Sequence, residues 1–252
     1  MIRGCRILAV VPARGGSKGI LLKNLRLVGG RSLVARVGDV IRGVPEVDRA
    51  VVSTDHEGIA SAAEEAGIAA PFRRPESISG DQIGDIDVLT HALDATETID
   101  GQRYEIIVML QPTSPLRTAA DVSATIRMLV EGGWDSVWTV SPTDSKFHPL
   151  KQLTISGGSL RYYDPAGADI VARQQLTPVY HRNGVAYAMT RECLVKQRSI
   201  KGVRGGALIV EGEHISIDTE LDVTLAELLL TRRARRSRHE TIKAPSNRAM
   251  DR

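Results

Sequence analysis

Cysteine is scarce: Cys5 and Cys193 are the only two in 252 residues. Two thiols exclude a disulfide framework and a thiolate-built metal site, and they fit a reducing, cytoplasmic setting. Long hydrophobic runs are missing as well. No apolar stretch approaches the about 18 residues that cross a bilayer, so no membrane association is expected. The chain enters a strand-like stretch at once, so a cleavable leader is not expected either. Aromatic residues make up 4% of the chain. The two tryptophans, Trp134 and Trp138, flank or occupy an apolar run, where they pack rather than stack on a base.

A dominant charge is absent too, although the formal net of +3 hides an asymmetry. Residues 232–252 hold eight Lys/Arg and two Asp/Glu, so the preceding 231 residues are net −3. The tail "RRARRSRHETIKAPSNRAMDR" shows no apolar periodicity and reads as a disordered terminus. Basic runs touch nucleic acid, yet a solvated end is the expectation here, with no nucleic-acid partner.

What is present is the composition of a soluble globule, 42% hydrophobic and 25% charged. The length fits one large domain with an appendage. Four β-branched apolar runs recur: Arg6–Val11, Arg49–Thr54, Glu105–Leu110 and Asp135–Val140. Near-continuous hydrophobicity suits strands buried on both faces of a parallel sheet. Helical patterns fill the gaps. Thr118 and Asp121 stand at capping-box spacing before Val122, Ile126, Leu129 and Val130. Thr219 and Asp222 repeat the device before a face of Leu221, Leu225, Leu228 and Leu229, and Ile86, Leu89 and Leu93 share a third helix. Alternating strands and helices predict an α/β sandwich with right-handed crossovers. The rhythm breaks over residues 141–186, a polar, turn-rich stretch expected to cover the active site or form a dimer contact. Ligands of such sheets bind beyond the carboxyl ends of the strands.

The loop after the first strand, "VVPARGGSKG", satisfies neither the dinucleotide fingerprint nor the Walker pattern. It brings Arg14, Lys18, Lys23 and Arg26 near glycines whose N–H groups can approach an anion closely. A triphosphate cradle and a loop made soluble by charge both remain open at this point. After the third strand, "QPTSPLRT" offers Gln111, Thr113, Ser114 and Arg117 to a polyhydroxylated ligand, and equally makes a stiff turn capped by Thr118. "RQQLTPVYHRNG" gathers Arg173, His181, Arg182 and Asn183 in a glycine-ended turn, and arginine suits bidentate capture of a carboxylate. "ISIDTELD" sets Asp218 at the end of a short strand, as a helix cap or as an oxygen donor to magnesium.

Taken in order, "VVPARGGSKGILLKN", "VVSTD", "RRPESISGD", "LQPTSPLRT", "HPLK", "RQQLTPVYHRNG" and "SIDTELD" resemble the motif series of the sialic-acid cytidylyltransferases. The resemblance covers Ile7 to Leu230. It implies transfer of CMP from CTP to a nine-carbon 2-keto acid sugar, with magnesium, pyrophosphate being released. It implies a nucleotide-diphospho-sugar transferase-like three-layer α/β sandwich with a mostly parallel sheet: one domain over residues 1–231, with 141–186 a dimerisation arm inserted in it, working as a homodimer. By the same resemblance Arg14, Gly15, Gly16, Ser17, Lys18 and Lys23 hold the triphosphate, and Lys23 bears on the α-phosphate. Asn24, Arg74 and Asp81 lie by the nucleotide. Gln111, Lys151, Arg173 and Asn183 hold the sugar, the carboxylate falling to Lys151 and Arg173 across the dimer. Asp218 binds the metal, and with Lys23 and Arg14 makes up the catalytic set.

Three departures stand out. Leu21 replaces a proline of the family pattern, Ser216 replaces the first of two alternating aspartates, and His181 replaces an arginine. The loss of one metal donor leaves open a catalytically impaired CTP-binding homologue. The acceptor also stays open among sialic acid, a 3-deoxy-octulosonate, legionaminic- or pseudaminic-type sugars, and a phosphonate.

Overall fold

The computed structural model describes the backbone of residues 2–243 and the side chains of residues 2–236. In chain order the elements are β1 (Ile7–Pro12), β2 (Leu27–Val28), β3 (Arg31–Ser32), α1 (Leu33–Ile41), β4 (Arg49–Ser53), α2 (Glu57–Glu65), α3 (Asp85–Asp100) and β5 (Ile106–Met109). Then come α4 (Ala119–Gly132), β6 (Ser136–Pro142), β7 (Leu153–Ser156), β8 (Ser159–Tyr162), β9 (Tyr180–Thr190), α5 (Arg191–Val195), β10 (Gly205–Ile209) and α6 (Glu220–Lys243).

Successive strand residues point to opposite faces, and β1 buries both. Ile7, Ala9 and Val11 pack on one side with Val34 and Val37 of α1, Ile59 of α2 and Ile126 of α4. Leu8 and Val10 pack on the other with Leu89 and Leu93 of α3 and Leu194 of α5. A sheet between two helical layers results, which is why its strands read as continuous apolar runs. The six strands run β10-β6-β9-β5-β1-β4. β1 is parallel to β4 and β5, β10 is parallel to β6, and β9 alone runs against its neighbours β5 and β6. A third, smaller cluster of Ile20, Val28, Leu33, Ile217, Val223 and Ala226 seats α6 beside the first loop. Both capping boxes form. Thr118 Oγ1 accepts from Asp121 N while Asp121 accepts from Thr118 N, and Asp222 accepts from Thr219 N as Thr219 Oγ1 accepts from Asp222 N.

Four expectations are corrected. Tyr180–Asn183, read as a turn, opens the 11-residue strand β9, whose polar start conceals a wholly buried run from Asn183 to Met189. Asp218 follows no strand: its segment is extended and tied by Ile217 N to Thr113 O at 2.9 Å. On α6 the inward residues are Val223, Ala226 and, partly, Leu230, while Leu221, Leu225 and Leu228 face outward. The tail is helical as far as Lys243 rather than disordered from Arg232. Arginine and alanine are strong helix formers, and the packed first half of α6 has already met the cost of nucleation. Arg233 also reaches back to the carbonyls of Leu116 and Glu213. Residues 244–252 of that tail lie outside the described residues.

The inserted segment leaves the sheet after Pro142 and rejoins it at Tyr180, narrower than 141–186 because its margins pair as β6 and β9. It carries the β7–β8 hairpin, exposed along its length. His148 is buried within it, its Nδ1 accepting from Leu150 N at 3.2 Å and its Nε2 lying 3.0 Å from Thr177 O.

Candidate active site

Beyond the carboxyl ends of β1, β4 and β5 the loops enclose a cleft of about 500 Å³. Its lining includes Arg14, Ser17, Lys18, Lys23, Asn24, Arg74, Asp81, Gln111 and Asp218, which four separate loops bring together.

Each side chain has an evident support. Gly15 N donates to Asp55 Oδ1 at 2.8 Å, and Asn24 Nδ2 donates to Arg14 O at 2.9 Å, so both sides of the first loop are pinned. Asp55, just before α2, thus serves the first loop. Gly19 lies directly on Asp218: a Cβ there would stand 2.3 Å from the Asp218 carbonyl oxygen. Only glycine permits that approach. Leu22 adopts a left-handed backbone at φ 48°, an uncommon state for a branched residue. It turns the chain so that Lys23 Nζ donates to Ile217 O and to Asp218 Oδ1, each at 2.8 Å. An ammonium has three N–H groups, so one remains for a ligand. Ser216 and Asp218 both line the cleft while Ile217 between them is buried, the alternation of an extended chain.

Arg14 and Lys18 converge on the Asp81 carboxylate, at 2.6 and 2.5 Å. The hydrogen bonds from Lys18 and Arg14 hold that carboxyl below its ordinary range. Arg74 is buried, with Nε donating to Ser53 Oγ at 3.0 Å and a second nitrogen to Ser53 O. Burial pulls its pKa down to about 10. Asp85, at the first turn of α3, also lines the cleft. Burial raises its pKa, with Arg182 and Arg74 opposing the rise. Sequence reasoning passed over Asp85; its only signal was a carboxylate at a helix start, which ordinarily serves the helix dipole.

Other expected residues lie elsewhere. Ser114 donates to Asn183 O at 3.0 Å, and Arg117 is buried against the carbonyls of Gln111, Gly184 and Val185. Neither presents its side chain to the cleft. They shape its wall, and burial pulls the Arg117 pKa down to about 9. Asn183 is likewise drawn inward: Oδ1 accepts from Thr139 Oγ1 and Val185 N, and Nδ2 donates to Ser141 Oγ. It is not among the residues that line the cleft. A Cβ on Gly184, at φ 71°, would stand 2.5 Å from Ser114 Oγ and 2.9 Å from Gln111 Oε1, so glycine is required beside these two side chains. Lys151 and Arg173 sit exposed on the inserted segment, and neither lines this cleft. Gly15 and Gly16 shape the loop backbone without lining the cavity.

Residues 8–227 match the family described as cytidylyltransferase. The chain belongs to that family. This cytidylyltransferase is 30% identical over 227 residues to the CMP-N,N'-diacetyllegionaminic acid synthase of Legionella pneumophila, covering 89% of this chain and 96% of that one. It is 31% identical to the N-acylneuraminate cytidylyltransferase of Streptococcus agalactiae serotype V, over 85% of this chain and 51% of the larger protein. Among solved structures, CMP:2-keto-3-deoxy-manno-octonic acid synthetase complexed with CTP superposes with a TM-score of 0.64 at 17% identity, covering 90% of this chain and 99% of that one. The 4-diphosphocytidyl-2C-methyl-D-erythritol synthase of Anaerococcus prevotii gives 0.61 at 18% identity, with the same two coverages. The cytidylyltransferase shares the nucleotide-diphospho-sugar fold of these neighbours.

Proposed function

We propose that this cytidylyltransferase activates a nine-carbon 2-keto acid sugar, of sialic or legionaminic type, by transferring CMP to it from CTP. The observation that carries the reading is the cleft itself, where Arg14, Lys18, Lys23 and Arg74 converge from two loops and Gln111 shares the lining.

The triphosphate lies along the first loop. On binding, Arg14 and Lys18 exchange the Asp81 carboxylate for phosphate oxygens. Arg74 and Asp85 both line the cleft. Donors beside an acceptor match the edge of cytosine, whose ring carbonyl and N3 accept and whose exocyclic amine donates. The anomeric 2-hydroxyl of the sugar attacks the α-phosphorus in line. A bond from sugar oxygen to phosphorus forms, the bond to the β-phosphate oxygen breaks, and pyrophosphate carries away the electron pair. The hydroxyl proton leaves to solvent or to a phosphate oxygen. Lys23 neutralises the charge that develops on the α-phosphate.

Magnesium fits the donors present. Among the described residues no cluster of three or more His, Cys, Asp or Glu could cage a metal. A magnesium ion on phosphates needs only one or two protein carboxylates, its other ligands being phosphate and water oxygens. Asp218 would hold it, with the Ser216 hydroxyl on the same face. When bound, such an ion supplies positive charge to the phosphates.

The inserted segment exposes Phe147, Leu153, Ile155, Leu160, Tyr162 and Tyr163. An array of this kind needs cover, and a second copy supplies it in a homodimer that also delivers Lys151 and Arg173 to the sugar carboxylate. Both cysteines are free, which agrees with a cytoplasmic setting. Among the described residues no helix is long and apolar enough to cross a membrane.

The test is pyrophosphate release from CTP across a panel of acidic sugars. Release with nonulosonic acids supports the reading. Release only with a 3-deoxy-octulosonate or a phosphonate assigns another acceptor, and CTP binding without release at any magnesium concentration identifies an impaired homologue.

A further inference from the structure

Helix α6 carries two apolar faces. The inner one packs Val223, Ala226 and Leu230 against the first loop. The outer one shows Leu221, Leu225 and Leu228 to solvent, exposed at 66%, 40% and 47%. At about 100° per residue these two sets lie on opposite sides of the helix. The outer stripe therefore adds nothing to this chain's own core.

Its spacing is specific. Residues 221, 225, 228, 232 and 235 follow each other at intervals of four, three, four and three, the repeat of a coiled-coil seam. Leucines occupy the first three positions, and Arg232 and Arg235 the last two. Acidic residues stand at the opposite end, with Glu220 and Asp222 in the first turn. Reversing a second α6 over the first about a point between Leu225 and Leu228 sets each of these leucines against the other's counterpart. The same operation lays Arg232 of one copy over Leu221 of the other. In such a pair its aliphatic stem would cover the leucine, and its guanidinium, 4.0 Å from Glu213 within one chain, would turn toward Glu220, which also pairs with Arg26.

We propose that the outer face of α6 is a self-association surface, on which two copies of this chain pair antiparallel about a two-fold axis. Such an axis makes a self-complementary contact from one patch. A second helix suits the narrow seam, whereas an anionic bilayer would meet the acidic first turn. The surface lies apart from the inserted segment and does not depend on the enzymatic reading.

The experiment measures the mass of the full chain by sedimentation equilibrium, for the wild type and for Leu225→Glu/Leu228→Glu. The expected result is a halving of mass in the variant with an unchanged melting curve, since both positions are exposed, and with unchanged CTP turnover per chain. In a Cys5→Ser background, a mixture of Leu225→Cys and Leu228→Cys chains should oxidise mainly to the 225–228 cross-link. An unchanged mass would overturn the proposal. So would a dominant 225–225 cross-link, which marks a parallel pair, or co-sedimentation of a monomeric wild type with phosphatidylserine vesicles.

Discussion

Lys23 Nζ and Asp218 Oδ1 are 2.8 Å apart, joining the first loop of the chain to a segment 195 residues further on. The ammonium is largely covered and the carboxylate largely open, at 16% and 71% side-chain exposure. The cation is thereby oriented, while the anion remains reachable. Lys23→Ala is expected to lower kcat by about a hundredfold or more, the usual effect of removing a group that meets transition-state charge. Steady-state kinetics with CTP and sugar, beside a thermal melt showing retained fold, checks it. Near-normal turnover would remove Lys23 from the mechanism.

Gly19 is the contact on which that pair leans. Gly19→Ala places a methyl group where the Asp218 carbonyl stands. A displacement of about 1 Å costs roughly a hundredfold in well-positioned sites, so kcat should drop on that scale. The requirement for magnesium should rise with it, read from the metal concentration at half-maximal rate.

Ser216 shares the cleft with Asp218. Ser216→Asp adds a second carboxylate on the same face and is expected to lower the half-saturating magnesium concentration by about tenfold. An unchanged metal dependence would mean that no ion sits between these two positions.

Much of this was legible in residue patterns. β1, β4 and β5 announce themselves because burial on both faces demands uninterrupted Val, Ile and Leu, and the capping boxes of α4 and α6 are short-range. β9 was hidden because its first three residues are exposed and polar. The inward turn of Ser114, Arg117 and Asn183 was hidden because their partners are backbone carbonyls and small hydroxyls. Those groups have no sequence signature, so buried arginine and asparagine read as ligand contacts. α6 misled for the reverse reason: its most regular leucine stripe faces outward, and the core takes the less regular Val223 and Ala226. Motif order revealed the cleft's cations, but it could not show that Asp81 sits between two of them.

On the proposed function, Asp81, which pairs with both Arg14 and Lys18, competes with the triphosphate for them. Asp81→Asn is expected to lower the KM for CTP about fivefold with kcat nearly unchanged, in line with the modest strength of exposed ion pairs. Its carboxyl is held below the ordinary range. The contact is therefore present at neutral pH and is lost only as pH falls through that depressed value, so the KM difference between variant and wild type should vanish in acid.

Asp85 has the opposite sign. Burial raises its pKa, so the folded chain binds the proton more tightly than the unfolded chain. Stability then declines as pH rises from the unfolded pKa through the folded one. Asp85→Asn should flatten that decline in a melting series and raise the midpoint at neutral pH. It should also cut the preference for CTP over UTP by about tenfold, the value of one base-edge contact.

The most direct measurement is the mass of the product formed from CTP and a nonulosonic acid by the wild-type chain. A CMP-sugar and pyrophosphate in equal amounts are predicted. Bound CTP that yields neither, with sugar and magnesium both saturating, would contradict the assignment.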